Sequence, residues 1–367
     1  MKVLITGANG FVGKNLIVHL NERQDVEILT FGRSDNLHAL GERVAQADFI
    51  FHLAGVNRPQ EPEEFSQGNT ELTVELCKAI EATGRQIPVV YTSSSQASLD
   101  NPYGASKRGA EEALQALSAQ HGSPVHVLRL PNVFGKWAKP NYNSAVATFC
   151  HNIARDLPVQ INDPAAVVTL VYIDDVIAHF LALMAGEDFG ADVKPQYQAT
   201  VGEIAERLHG FKESRNTLIT DRVGDGFVRA LYSTYLSYLP PERFNYQVPK
   251  HGDPRGMFVE MLKTPDCGQF SFFTAHPGIT RGGHYHHTKT EKFLVIKGRA
   301  RFGFRHMVSG EFHELVTEGD KPEIVETVPG WTHDVTNIGD DEMIVMLWAN
   351  EIFDRAHPDT YACQVKP

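Results

Sequence analysis

The chain has 367 residues, 42% of them hydrophobic and 22% charged, an ordinary globular composition with length enough for two domains. Its 45 Asp and Glu outnumber 34 Lys and Arg, and the first 243 residues and the remainder share this acidic excess, which argues against a nucleic-acid partner. No run of 18 apolar residues suits a membrane span, the stretch before Gly7 is too short for a signal-peptide core, and Cys77, Cys150, Cys267 and Cys363 are scattered without thiolate-site spacing, so a cytoplasmic protein is expected.

From the N-terminus to about residue 176, short aliphatic or β-branched runs at 2–5, 27–31, 49–53, 88–92 and 125–130 alternate with helix-like stretches, predicting an α/β doubly wound parallel sheet. Residues 102–120 and 143–156 read as helices, and 200–213 as a shorter one before a polar region around 216–225, a subdomain appended to the sheet. Beyond 235–241 the texture changes to short alternating strands at 258–262, 269–275, 293–296, 300–305 and 343–349, punctuated by Gly, Pro and Asp, which predicts an all-β barrel or sandwich. The expected division is 1–243 and 244–367. Eight of the 17 histidines fall in the first part and nine in the shorter second part.

Gly7-Ala8-Asn9-Gly10-Phe11-Val12-Gly13 follows the first strand and opens the first helix. Glycines there permit a tight turn, close approach of backbone to a pyrophosphate and close helix–strand packing, with the helix N-terminus facing the anion. An NAD-preferring domain ends its second strand with an acidic residue on the ribose, but this strand runs into Gly32-Arg33, and an arginine suits the 2′-phosphate of NADPH. Tyr103 and Lys107, four apart at a helix start, share a face. The ammonium is expected to lower the phenol's pKa and let it exchange a proton while a hydride moves.

With Leu53-Ala54-Gly55, the Ser93-Ser94-Ser95 cluster and Leu130-Pro-Asn132-Val-Phe-Gly135, these motifs make roughly residues 1–240 resemble the extended short-chain dehydrogenase/reductase family. The resemblance implies a Rossmann fold with Gly7, Asn9, Gly10, Phe11, Val12, Gly13, Arg33, Leu53, Ala54 and Gly55 at the cofactor and a catalytic Ser, Tyr103 and Lys107. The gap from the serines to Tyr103 is shorter than the family pattern, and Ser94 is preferred over Ser93. Asn132, Lys136, Asn141 and Asn143 lie where such enzymes line a nucleotide-sugar pocket.

In the second part His284 and His286 point to one face of a strand, and Glu291 and His333 complete a ligand set suited to Zn, Mn, Fe or Ni, with Zn preferred. The spacing resembles the two cupin motifs, except that Pro329 and Gly330 are adjacent where a spacer is usual. Tyr285 and His287 flank the ligands as candidate acid/base groups. The stretches 253–260, 269–271 and 278–284, the last containing Arg281, are similar to the dTDP-4-dehydrorhamnose 3,5-epimerase pattern, which implies a substrate contact for Arg281. There the histidine matching His284 is a general base, so metal-free epimerisation is the competing reading.

Over essentially its whole length the chain resembles the CapF/WbjC family of capsule and O-antigen enzymes, with 53–59, 134–144, 232–240 and 286–289 as supporting signatures. That resemblance implies a homodimer with two activities on a UDP-linked 4-keto-6-deoxy amino sugar. The cupin would epimerise C3 of UDP-2-acetamido-2,6-dideoxy-β-L-arabino-hexos-4-ulose, and the reductase would use NADPH at C4 to give UDP-2-acetamido-2,6-dideoxy-β-L-talose, the precursor of UDP-N-acetyl-L-fucosamine. The alternative is a single-function 4-reductase whose cupin is a structural or dimerisation module.

Overall fold

The structure is a computed structural model that describes the chain except residues 188–189, 250, 254–255, 259–260, 263, 265–267, 352–355 and 367, and except the side chains of 251–253, 256–258 and 269. Of the motif expected over 253–260 only the backbone of 253 and 256–258 is described; of the strand expected at 258–262, residues 259–260 lie outside the described residues and 261–262 are in no strand; Cys267 also lies outside them. Contacts divide the chain into two compact units, Met1–Ser144 with Val168–Gln198 and Ala145–Val167 with Ala199–Pro367.

The helices, in chain order, are α1 (Phe11–Asn21), α2 (Leu37–Gln46), α3 (Glu63–Phe65), α4 (Leu72–Thr83), α5 (Pro102–His121), α6 (Ala145–Ile153), α7 (Ile173–Met184), α8 (Val201–Thr217) and α9 (Gly226–Ser237). The first unit is built on strands β1 (Lys2–Thr6), β2 (Glu27–Phe31), β3 (Phe49–His52), β4 (Val89–Ser94) and β5 (Val125–Leu130), all parallel in the order β2-β1-β3-β4-β5. β3 is buried along its whole length and β1 beyond its first residue, as expected of central strands covered on both faces. Leu4, Ile50, Val89 and Tyr91 of the sheet form one core cluster with Leu40, Val44, Leu76, Ile80, Leu114 and Leu117 of α2, α4 and α5. Strands β6 (Asn132–Phe134), β7 (Val167–Tyr172) and β8 (Gln196–Thr200) form a separate three-stranded sheet.

The second unit contains β9 (Asn245–Gln247), β10 (His251–Asp253), β11 (Gly256–Phe258), β12 (Gln269–Ala275), β13 (Thr280–Tyr285), β14 (Glu291–Lys297), β15 (Arg299–His306), β16 (Phe312–Glu318), β17 (Glu323–Glu326), β18 (Trp331–Asn337), β19 (Met343–Ala349) and β20 (Tyr361–Ala362). Two antiparallel five-stranded sheets, β12-β19-β14-β17-β9 and β16-β15-β18-β13-β20, give the all-β architecture expected from the alternation.

Contacts group α6, α8 and α9 with this unit, whereas the sequence reading appended the 200–213 helix to the parallel sheet. The reason is a set of long-range side-chain contacts. Phe211 of α8 packs on Tyr232 and Tyr235 of α9, with ring centroids 5.1 and 6.2 Å apart. Arg215 of α8 pairs with Glu326 of β17 at 3.1 Å, and Glu326 also accepts from Lys292 of β14 at 2.5 Å. Lys292 and Glu326 are buried, so loss of either partner strands a charge in apolar surroundings, at a cost of about 3–5 kcal/mol. Among the described residues no helix is long and apolar enough to cross a membrane.

Candidate functional site

Two sets of functional side chains stand out, one in each unit. In the first, β1 has β2 on one side and β3 on the other, so chain order reverses beside it. A crevice at the carboxyl end of such a strand is where open α/β sheets bind ligands. The turn there needs its glycines. Gly7 has φ +72°, and a Cβ on it would lie 2.7 Å from the Ala54 nitrogen, while one on Gly13 would lie 2.5 Å from the Gly7 carbonyl oxygen. α1 begins without a side-chain cap and without an acidic residue in its first turn, so its N-terminal N–H groups and dipole suit an anion.

Leu53, Ala54 and Gly55 follow β3 at the same end, and Ala54 N–H donates to Thr6 Oγ1 at 3.2 Å. Thr6 and Thr73 hold His52 from either side, at 2.7 and 2.9 Å. Burial brings that imidazole down to about 3, so it is neutral. After β2, Arg33 is exposed. The nearby acid, Asp35, accepts from Gly32 N–H at 2.8 Å and from Arg43 at 3.0 Å; the Arg43 bond, reinforced by the backbone one, holds its carboxyl below the usual range.

The serine cluster splits in two. Ser93 Oγ donates inward to Glu111, which also accepts two bonds from Arg129, at 2.9 and 2.6 Å. Ser94 Oγ accepts from Gln96 N–H at 3.1 Å and is near enough to the Tyr103 phenol to oppose the rise of its pKa. The Asn101-Pro102 pair sets the tyrosine's place: Asn101 accepts from Gly104 N–H at 2.8 Å as the N-cap of α5, Pro102 opens the helix, and Tyr103 falls in the first turn. One turn on, buried Lys107 donates to the Thr92 carbonyl at 3.0 Å. Burial draws its ammonium down to about 8, against an opposing pull from Glu111.

The phenol differs from expectation. Burial raises the Tyr103 pKa above its ordinary value, with only Ser94 opposing. Contrary to the expectation, Lys107 does not lower it, and desolvation sets the direction. A raised pKa keeps Tyr103 protonated at neutral pH, the state a proton donor requires.

The residues expected at a substrate pocket differ in exposure. Asn132 is exposed and donates to the Thr169 carbonyl at 3.1 Å. Lys136 is buried, with its ammonium on Asp174 at 2.5 Å. Asn141 and Asn143 are exposed. Arg58 and Lys139 lie over the Tyr142 ring, at 5.7 and 5.3 Å from its centroid.

In the second unit, β13 and β18 place His284 directly opposite His333. A bulge between Gly282 and His284, with Gly282 and Gly283 at φ +95° and +73°, sets that register. His286 follows β13, and Glu291 begins β14, where its N–H donates to Thr327 Oγ1 at 2.9 Å. One ligand atom from each of His284, His286, Glu291 and His333 lies within 4.8 Å of the others. Glu291 Oε2 is 3.2 Å from His286 Nε2 and 3.5 Å from His333 Nε2.

Those spacings fit a metal, because a tetrahedral site with bonds of about 2.0–2.1 Å separates its ligands by about 3.3 Å. His286 Nδ1 donates to the Asp359 carbonyl oxygen, which fixes Nε2 as the ring atom that faces the Glu291 carboxylate and would ligate a metal there. Burial lowers His333, and burial with the neighbouring imidazoles lowers His284 to about 3, leaving both rings neutral as ligands need to be. Despite its burial, Glu291 is held well below the usual range by His286 and His333.

Tyr285 and His287 are turned elsewhere: their rings are 5.5 Å apart, and both pack on Tyr361. Arg281 is exposed, donates to the Thr274 carbonyl at 3.1 Å and lies over the Phe273 ring.

The comparisons agree with both architectures. The model of the NAD dependent epimerase/dehydratase family matches residues 3–194, and that of the polysaccharide biosynthesis C-terminal domain matches 251–361. A UDP-2-acetamido-2,6-beta-L-arabino-hexul-4-ose reductase of Pseudomonas aeruginosa is 64% identical over 100% of this chain and 99% of its own. The crystal structure of the capsular polysaccharide assembling protein CapF from Staphylococcus aureus superposes with a TM-score of 0.69 at 42% identity, covering 100% of both chains. The chain belongs to the CapF family. It is an NAD(P)-dependent oxidoreductase with the Rossmann unit of the short-chain dehydrogenases. A more distant structure, RMD from P. aeruginosa complexed with NADPH, covers 58% of this chain and 82% of its own at 25% identity and a TM-score of 0.51.

Beyond the residues read from sequence, the structure adds three that a CapF-family reading of motifs passes over. Asn69, in a π-helical turn at Ser66–Glu71, ties Val56 N–H and carbonyl (2.9 and 3.0 Å) to Ser106 (2.9 Å). Glu111 sits one turn beyond Lys107 and takes up the serine that does not face Tyr103. Lys289 is buried with its ammonium 2.9 Å from Glu291 Oε1. Its only sequence signal is its place in the His286-His-Thr-Lys289 run.

Proposed function

We propose that the chain is a bifunctional nucleotide-sugar enzyme. The second unit epimerises C3 of UDP-2-acetamido-2,6-dideoxy-β-L-arabino-hexos-4-ulose, and the first reduces its C4 ketone with NADPH to UDP-2-acetamido-2,6-dideoxy-β-L-talose. The full-length likeness to a reductase named for this ketosugar supports the substrate. The observation that carries the epimerase half is the four-residue cluster, with its two imidazole Nε2 atoms converging on Glu291 Oε2 and one flank accessible at the partly exposed His284. A closed structural site would leave no such flank.

The order of steps follows from carbon-acid chemistry. The C3 hydrogen is acidic only while C4 is a ketone that can take up the charge, so epimerisation precedes reduction. His284, His286, Glu291 and His333 would hold one divalent cation, Zn first among the candidates, which supplies Lewis-acid stabilisation of the developing oxyanion. His284, at about 3, is too weak a base to take a carbon-bound proton near neutral pH, which favours its reading as a ligand. In the first unit, NADPH over the glycine turn supplies the hydride for C4. Tyr103 donates its phenolic proton to the C4 oxygen and Ser94 holds that oxygen by a hydrogen bond, while Lys107 anchors the helix face against β4 through Thr92.

The deciding experiment incubates the 4-keto sugar nucleotide with the full-length protein in D₂O without NADPH and reads deuterium at C3. Incorporation is expected. Its absence in metal-replete protein overturns the epimerase assignment and leaves a single-function reductase. Cofactor choice has its own test. Arg33→Ala is expected to weaken NADPH about 10- to 100-fold, the worth of a charge-assisted bond to the 2′-phosphate, and to leave NADH unchanged. An undiminished NADPH affinity in a binding titration would remove Arg33 from the cofactor site, and equal losses for both cofactors would show that it does not read the 2′-phosphate.

A further inference from the structure

The tail that follows β19 returns to the metal cluster. β20 pairs with β13 so that Ala362 stands opposite His284 and Tyr361 opposite Tyr285. Just before it, the Asp359 carboxylate accepts from three successive backbone N–H groups, those of His287 at 2.9 Å, Thr288 at 2.8 Å and Lys289 at 2.7 Å, and from Thr288 Oγ1 at 3.0 Å. Its main-chain carbonyl takes the Nδ1 proton of His286, 73 residues earlier in the chain. One residue thus sets both the shape of the 286–289 turn and the tautomer of a ligand within it.

The turn delivers two groups to Glu291, His286 Nε2 at Oε2 and Lys289 Nζ at Oε1. α9 grips its other side: Ser233 Oγ donates to the Thr288 carbonyl at 2.8 Å, and Arg229 donates to Thr288 Oγ1. Charge-assisted bonds from consecutive amides hold a carboxylate in one orientation, and partners behind the ligands govern metal affinity.

We propose that Asp359 is a positioning residue that pre-forms the metal cage, holding the turn so that His286 and Lys289 meet Glu291 before any metal arrives. The proposal rests on reading the four-residue cluster as a metal site.

The test uses chelator-stripped, full-length protein titrated with Zn²⁺ against a chelating indicator and with Co²⁺ by visible absorption. Asp359→Asn keeps the volume but sets an NH₂ group against the backbone N–H groups. It is expected to raise the Zn²⁺ dissociation constant about 10- to 100-fold and to change the Co²⁺ spectrum. Thr288→Val removes the hydroxyl contacts with that carboxylate and with Arg229, keeps the backbone bonds to Asp359, and is expected to raise the constant about fivefold. A residue that merely fastens the tail would lower the melting temperature of the metal-free protein and leave the affinity of the folded fraction and its Co²⁺ spectrum alone. Unchanged affinity and spectrum in folded Asp359→Asn overturn the proposal. If that variant does not fold, unchanged affinity in Thr288→Val overturns it. A flat titration of the wild type instead overturns the metal reading beneath it.

Discussion

Tyr103→Phe is expected to lower kcat for ketone reduction by about 10²- to 10⁴-fold, the usual worth of a positioned proton donor. It is expected to leave NADPH binding and deuterium exchange at C3 near wild type. The substitution removes one oxygen, the phenol that Ser94 influences, and leaves the ring packed against Phe65, with centroids 5.6 Å apart. Because burial raises the phenol's pKa, the wild-type residue is protonated across the neutral range, and the variant lacks that proton at every pH. Stopped-flow NADPH oxidation and the D₂O assay on one preparation measure both halves. Loss of C3 exchange in this variant would mean that the phenol serves both reactions and that the two-site assignment is wrong, while undiminished reduction would displace Tyr103 as the donor.

Glu291→Gln tests the other half at similar size. Bound metal is expected to fall from one ion per chain to less than about a tenth, and C3 exchange to vanish with it, since a neutral amide is a poor ligand for a hard or borderline cation. The change also removes one carboxylate contact of the buried Lys289 ammonium, which bears on local stability. Folding must therefore be read independently. Trp331 and Trp348 are both buried in the second unit, so near-ultraviolet circular dichroism reports its packing. Persistent exchange in a folded, metal-free variant would reject the metal-dependent reading and reinstate metal-free epimerisation.

Much of the fold was legible because its signals are local. Five aliphatic runs alternating with helical stretches became the five parallel strands to within two residues at each end, and the runs at 269–275 and 343–349 match β12 and β19. The glycine turn, the Asn101-Pro102 helix start and the HxH spacing each act within one strand, turn or helix, where residue spacing sets geometry directly. Ser93 and Ser94 point to opposite faces, as successive strand residues do, and Ser93 turns inward to Glu111.

Other features had no local trace. Lys136 reads as a loop lysine beside a substrate pocket, yet Asp174, on α7, takes its charge into the interior. Likewise Tyr103 and Lys107 share a helix face in any sequence with that spacing. Whether the ammonium lowers the phenol's pKa depends on how deeply both are buried, and burial is a property of the packed unit.

From the sequence alone came two architectures, the glycine turn after the first strand and the His284/His286 pair with Glu291, because each depends on periodicity or short spacing, whereas the Ser–Tyr–Lys set came from the family resemblance. Only the tertiary structure decided that the helices around 145–153 and 201–237 belong with the β unit, that Lys289 meets Glu291, and that Asp359 closes the turn around His286. The helix and tail contacts join elements tens of residues apart, through groups that any helix or tail could carry, and Lys289 and Glu291, though two residues apart, meet across a turn that the tail holds, so no period in the chain foreshadows them.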